Sequence, residues 1–283
     1  MTDPARFVAA LPPVTARHRT IAFTSGKGGV GKSNLVLNTG LLLARRGRRV
    51  AILDGDFGLS SLHVLLGLSP RHDLRHVLAG ERRLAEILLP GPWGIRIIPA
   101  GSGVAELANL DDDRRSALLG DLEAVAAGVD FLLIDTGAGI SDTVLHLIAA
   151  SDEAVVVTRP EPPALADAYA LMKVIITQEP VYPFHLLINM VRDREQGQQV
   201  YDSLSEILVK FLGYRPGYAG HVVADPRVAQ AVVDQVPFSI GAPRAPATRC
   251  LEELADTVLG TRAPAGDGAT FWEKVTRWTR KQG

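Results

Sequence analysis

Residues 25–34 read SGKGGVGKSN, with the apolar run TIAFT before them at 20–24 and an amphipathic stretch following at 32–46. Gly26, Gly31, Lys32 and Ser33 meet the G-x-x-x-x-G-K-[ST] spacing, and the flanks supply the strand and the helix between which such a loop works. Gly26, Gly28, Gly29 and Gly31 free the backbone, that of Val30 included, to turn its N–H groups inward as an anion nest. The helix N-terminus behind the nest adds partial positive charge. Lys32 then reaches the β and γ phosphate oxygens, and the Ser33 hydroxyl is offered to Mg²⁺. Lys27 is a second lysine in a loop that needs one. On local grounds it reads equally as a solvated side chain or as a group acting outside its own loop.

Outward from the loop, strand-like and helix-like runs alternate. Short β-rich runs end at Thr24, Asp54, Pro99, Asp135, Thr158 and Asn189, and helical spacing recurs at 35–46, 144–150 and 164–176. This predicts an α/β fold of the P-loop class, a doubly wound and mostly parallel sheet with helices on both faces. Ligands of such sheets lie beyond the carboxyl ends of the strands. Two of those ends are acidic. Residues 51–54 run into Gly55, Asp56, Phe57 and Gly58, and the apolar strand FLLI at 131–134 ends in Asp135. Asp54 and Asp135 are candidates to support the metal and Asp56 to orient an attacking water. A carboxylate at a buried strand end is costly unless a cation meets it. Asn189 reads either as a turn former or as a contact to a base edge.

Composition narrows the classes. The chain has 283 residues, 47% of them hydrophobic, a formal charge of −1 and one cysteine, Cys250. One nucleotide-binding domain over 20–260 is expected, with appendages at 1–19 and 261–283. The net charge gives no global attraction to nucleic acid, and direct nucleic-acid binding is not expected. A lone cysteine leaves no pair for a disulfide or an iron–sulfur site. With no apolar leader and no run of transmembrane length, a cytoplasmic protein is expected.

Together these segments resemble the deviant-Walker ATPases of the MinD/ParA type, and within them the flagellar-number regulators of the FlhG (FleN) branch. The carriers are SGKGGVGKSN (25–34), LDGDFGLSSLHVLLGL (53–68), GIRIIPAGSG (94–103), IDTGAGISD (134–142), EPPALADAYALMKV (161–174) and INMVRD (188–193). The Ser33–Asn34 pair and the DAYALMK run favour the flagellar branch over MinD. The resemblance implies ATP as the nucleotide and a homodimer formed on ATP binding, in which Lys27 reaches the partner's phosphates. It implies that Gly26 to Asn34 cradle the phosphates, that Ser33, Asp54 and Asp135 support Mg²⁺, that Asp56 positions the water and that Asn189 contacts adenine. Hydrolysis would be slow and act as a timer. Implied partners are an FlhF-type GTPase, flagellar C-ring switch proteins and a flagellar transcription activator. A partition or division-site ATPase acting through DNA or a division inhibitor is the alternative, and a non-hydrolysing ATP-binding scaffold a third. Ser61, His63 and Gly137 depart from the family pattern, and the N-terminal activator motif survives only as Asp3, Ala5 and Val8.

At the other end, Phe271, Val275 and Trp278 share one helical face, with Trp272 beside it and Lys274, Arg277, Arg280 and Lys281 on the flanks. A short basic amphipathic helix of this kind suits the inner face of a membrane, to which it binds weakly, and pairing two in a dimer strengthens the attachment. The competing reading docks the aromatic face on the core.

Overall fold

The computed structural model describes residues 18–56, 62–99, 121, 124–261, 269–271 and 273–275. Strands β1 (Arg19–Ser25), β2 (Val50–Gly55), β3 (Leu89–Pro90), β4 (Arg96–Pro99), β5 (Phe131–Ala138), β6 (Glu153–Thr158), β7 (Phe184–Val191) and β8 (Gly217–Val223) form one sheet. Among the described residues its order is β3-β4-β2-β5-β1-β6-β7-β8, parallel throughout except for the β3–β4 pair. The helices are α1 (Lys32–Arg45), α2 (Leu62–Leu65), α3 (Leu74–Leu78), α4 (Leu84–Ile87), α5 (Asp142–Ala150), α6 (Pro162–Gln178), α7 (Arg194–Leu212), α8 (Pro226–Val233), α9 (Phe238–Gly241) and α10 (Pro246–Gly260). The doubly wound parallel sheet expected from the sequence is present.

The central strands are buried on both faces, which is why they read as continuous apolar runs. β1, β2 and β6 are buried along their whole length. On one face, α3 to α7 close over Leu53, Leu132, Ile134 and Val156; on the other, α1, α2, α9 and α10 close over Phe23, Ile52, Leu133 and Val157. The chain leaves β1 toward β2 on one side and later returns to β6 on the other, so β1 is the point where winding reverses. Ligands of such sheets bind there, and it is β1 that feeds the glycine-rich loop.

At the opposite, amino-terminal rim, Arg19 is 8% exposed and grips Glu153, itself 3% exposed. Its guanidinium also donates to the carbonyls of Val258 (2.6 Å) and Thr261 (3.1 Å), fastening the end of α10 to the sheet. Burial raises the Glu153 pKa, but hydrogen bonds from His185 and Arg19 outweigh it and hold the carboxyl below its ordinary range.

Beyond α10 the chain changes faces. Thr270 and Glu273 form a reciprocal capping box, each side chain accepting the other's backbone N–H at 3.2 and 2.8 Å. Phe271 and Val275 follow, both 2% exposed and part of the core on the α3–α7 side. In this structure the apolar face of those two residues lies in the core, the arrangement of the competing reading. Trp272 and Trp278 lie outside the described residues. Among the described residues, no helix is long and apolar enough to cross a membrane.

Candidate functional site

The loop after β1 is held open by its glycines. Gly29 and Gly31 have φ of +77° and +91°, in the left-handed region that other residues enter at a cost. A Cβ at Gly28 or Gly29 would meet nothing within 4 Å, so that side of the loop faces open space. Gly31 caps α1 without a side-chain hydrogen bond, leaving the first N–H groups of the helix to the loop's ligand. Gly26 is pressed against α6, where an added Cβ would stand 2.2 Å from the Asp167 carbonyl oxygen. Gly26→Ala is therefore expected to displace the loop and weaken ATP binding by about tenfold or more. Titration with ATP tests this, and wild-type affinity would mean that the loop is not fixed by α6.

The two lysines differ in kind. Lys32 is 6% exposed, and its ammonium is ion-paired to Asp135, which is fully buried within β5. Lys27 is exposed on the loop's outer side, where its carbonyl accepts the Ser25 hydroxyl at 3.0 Å. Burial pushes the Asp135 pKa up; the Lys32 ammonium and the Ser33 hydroxyl oppose that, while the Asp56 charge adds to it. The Asp135 Oδ2 atom is buried and has no hydrogen-bond partner among the described residues. β2 and β5 are register-paired at Asp54 and Asp135, so both acids stand at one level of the sheet. Asp54, 1% exposed, accepts the Leu62 N–H at 3.4 Å. Ser33 hydrogen-bonds Asp135 and the Asp56 charge acts on it, so these oxygens neighbour one another beside the loop, although among the described residues no three acidic, imidazole or thiol side chains converge as a metal-holding group of their own. An oxygen-rich corner with an unsatisfied buried carboxylate oxygen fits Mg²⁺, and the nest fits a triphosphate.

Asn189 is brought to the loop, but not as a free base contact. Its Nδ2 donates to the Val30 carbonyl at 2.7 Å and its Oδ1 accepts the Met190 N–H at 2.9 Å. The side chain braces the loop in this structure, which explains why a Cβ at Gly31 would lie 2.5 Å from Nδ2. Gly137 is not required by crowding: a Cβ there would meet Val144 at 3.4 Å and Asp56 at 3.9 Å, ordinary contacts. Asp225, passed over as a site residue in the sequence, caps α8 from the end of β8. Its Oδ1 accepts the Arg227 N–H at 3.0 Å, and its side chain is 2% exposed. Its signal was the Asp-Pro pair at a helix start, legible once β8 is known.

The model of the CobQ/CobB/MinD/ParA nucleotide-binding domain matches residues 21–238. Among curated proteins, the antiactivator FleN of Pseudomonas aeruginosa is 36% identical over 247 residues, covering 87% of this chain and 88% of that one. The flagellum site-determining protein YlxH of Helicobacter pylori is 37% identical over 187 residues, 66% of this chain and 63% of its own length. Among solved structures, the septum site-determining protein MinD of Pyrococcus horikoshii, complexed with Mg-ADP, superposes with a TM-score of 0.68 at 22% identity, over 85% of this chain and 96% of that one.

Proposed function

The chain belongs to the CobQ/CobB/MinD/ParA nucleotide-binding family and is an ATPase of its MinD/ParA type, and from that premise we propose that it is a dimeric Mg-ATP switch that regulates flagellar number or placement. The observation that carries the switch is the division of labour between the lysines. Lys32 is buried on Asp135 in its own site, whereas Lys27, in the same loop, is exposed. A cation so placed is suited to the phosphates of a second copy. The same rim is apolar: Val64, Ile140, Val232, Val233 and Val236 are exposed in the segments that follow β2, β5 and β8, and Met190 is exposed near the carboxyl end of β7. Like copies meeting there would bury these side chains around the nucleotides.

When bound, Mg-ATP supplies the phosphoryl group that is transferred to water. Lys32 would turn from Asp135 to the phosphate oxygens, and Asp135, with Ser33 and Asp54, would hold the metal's shell. Asp56 orients the water, and Gly26 to Asn34 hold the phosphates. Asn189 releases Val30 to reach adenine. Such a transfer requires no strong general base, which suits slow turnover and a timer's role.

The flagellar reading is supported by relatives named as an antiactivator, FleN, and as a flagellum site-determining protein, YlxH. It carries an FlhF-type GTPase, C-ring switch proteins and a transcription activator as partners, and a cytoplasmic protein that attaches to the inner membrane face once residues 261–283 leave the 20–260 domain. Against a DNA-partition role, the arginine run at 45–49 is largely neutralised within the fold: Arg45 pairs with Glu252, Arg46 with Asp256 and Arg49 with Asp130.

The test is light-scattering mass and liposome co-sedimentation of the full chain and of a chain ending at Thr261, with ADP, with ATP, and as Asp56→Ala with ATP. ATP-dependent dimers that pellet only with the tail are expected, and longest-lived in Asp56→Ala. Dimers that ignore liposomes but bind DNA in a salt-sensitive way would replace this reading with partition. ATP binding without phosphate release would replace it with a scaffold.

A further inference from the structure

We propose that Gln235 is a positioning residue for ATP hydrolysis: its side-chain amide holds α2, and through α2 the acid that ends β2. The proposal rests on the ATPase assignment and concerns residues outside the nucleotide-binding loop.

α2 is four residues long, too short to persist on its own hydrogen bonds. Three contacts place it. Leu62 and Leu65 are buried beneath it, the Leu62 N–H donates to Asp54 Oδ2 at 3.4 Å, and the Val64 carbonyl accepts Gln235 Nε2 at 3.1 Å. The last contact comes from the far side of the sheet's carboxyl rim, 171 residues along the chain. Gly67, just after α2, lies against the same side chain, so that an added Cβ would stand 3.6 Å from Gln235 Cβ.

Gln235 occupies a position that glycine would fill more easily. It has φ +53°, in the left-handed turn that closes α8, where the Gln235 N–H reaches the Val232 carbonyl at 3.2 Å and the Val236 N–H the Ala231 carbonyl at 3.1 Å. A side chain held in that region at a steric cost points to a use for the side chain. Here the use visible in the structure is the bond to Val64.

What Gln235 is anchored to matters as well. Four residues beyond Gln235, in α9, the Ser239 N–H donates to Asn38 Oδ1 at 2.9 Å. Asn38 is fully buried on α1 and donates to the Asn34 carbonyl at 2.8 Å, in the first turn beyond the loop. The helix that carries Lys32 and the segment that follows Asp54 and Asp56 are thereby tied into one frame. The links run from Asn34 to Asn38, from Asn38 to Ser239, and from Gln235 to Val64. The frame fixes the distance between the phosphate-holding side of the site and its acidic side, a distance that hydrolysis needs and that ATP binding alone does not.

The test compares wild type with Gln235→Gly, Gln235→Glu and Gln235→Ala, measuring kcat and KM for ATP turnover together with thermal unfolding. Glycine relieves the left-handed strain and removes the donor; glutamate keeps the shape and removes the donor; alanine keeps the strain and removes both. All three are expected to lose about fivefold in kcat, the effect of one exposed neutral hydrogen bond on alignment, with KM unchanged. Gln235→Gly is expected to melt at or above the wild-type temperature and Gln235→Ala below it. Wild-type turnover in Gln235→Gly or Gln235→Glu would overturn the proposal, as would losses that follow melting temperature. A wild type that binds ATP but releases no phosphate would overturn the ATPase assignment and this proposal together; active wild type with unaffected variants overturns the proposal alone.

Discussion

Lys32→Ala is expected to abolish ATP binding and, in the same protein without nucleotide, to lower stability by about 3–5 kcal/mol at neutral pH. The first effect follows from removing the loop's phosphate cation. The second comes from Asp135, fully buried at the centre of the sheet with Lys32 as its counter-ion. Burial already pushes its pKa up against the pull of that lysine, and without the ammonium it rises further. An acid whose folded pKa stands above its unfolded one binds more protons folded. Its favourable contribution is full below the unfolded value of about 3.9 and is lost as pH rises through the folded one. The stability deficit of Lys32→Ala should therefore shrink toward acid pH. Asp135→Asn in the same chain should recover most of the stability at neutral pH and none of the binding. Denaturant unfolding across the pH range, alongside ATP titration, checks this. A deficit that does not change with pH would mean that the buried charge is compensated by something other than Lys32.

Lys27→Ala should do the reverse. The side chain is exposed and its removal leaves no buried partner behind, so stability should stay within about 0.5 kcal/mol of wild type. ATP binding to the monomer should persist. Dimerisation with ATP should vanish, and turnover should fall on the order of a hundredfold or more, as when a charge supplied in trans to a phosphoryl transition state is withdrawn. Light scattering with ATP, and phosphate release at saturating ATP, decide it. A variant that dimerises with ATP as wild type does would place Lys27 in its own site or in none.

The difference between the lysines was half legible in the chain. The loop spacing named Lys32; that Lys32 is buried on Asp135 while Lys27 is exposed depends on the fold that brings β5 beside the loop. The strands buried on both faces could be read because burial makes them uninterrupted apolar runs; β6 was read to its end at Thr158 and β4 to Pro99. β5 and β7 run on past Asp135 and Asn189 to Ala138 and Val191, since strand pairing continues through polar residues when neighbours accept their hydrogen bonds. The edge strand β8, GYAGHVV, was not read. It is half-buried, interrupted by Gly217 and Gly220, and shifted in register against β7 between Leu186 and Leu187, features that blunt an edge and erase its pattern together. β3, two residues long, has no pattern to find. The acids at the ends of β2 and β5 were legible as acids. That Asp54 and Asp135 share one register level was not, because β2 and β5 are joined only through the intervening fold.

The C-terminal segment carries a consequence for quantity. Arg19 holds Thr261 at the rim, and Phe271 and Val275 insert in the core across the sheet from α10. A side chain seated in protein cannot at the same moment be seated in lipid, so under the proposed membrane attachment the two environments would compete for one pair of residues. Burying the pair is worth roughly 3–5 kcal/mol, taken as an upper estimate. On the proposed membrane reading, a seat of at most that strength would lower the pair's apparent affinity for a bilayer by at most about a hundred- to a few-thousandfold. On that reading single copies would stay off the membrane even where lipid is abundant, and attachment would depend less on how much of the protein a cell makes than on whatever loosens that seat.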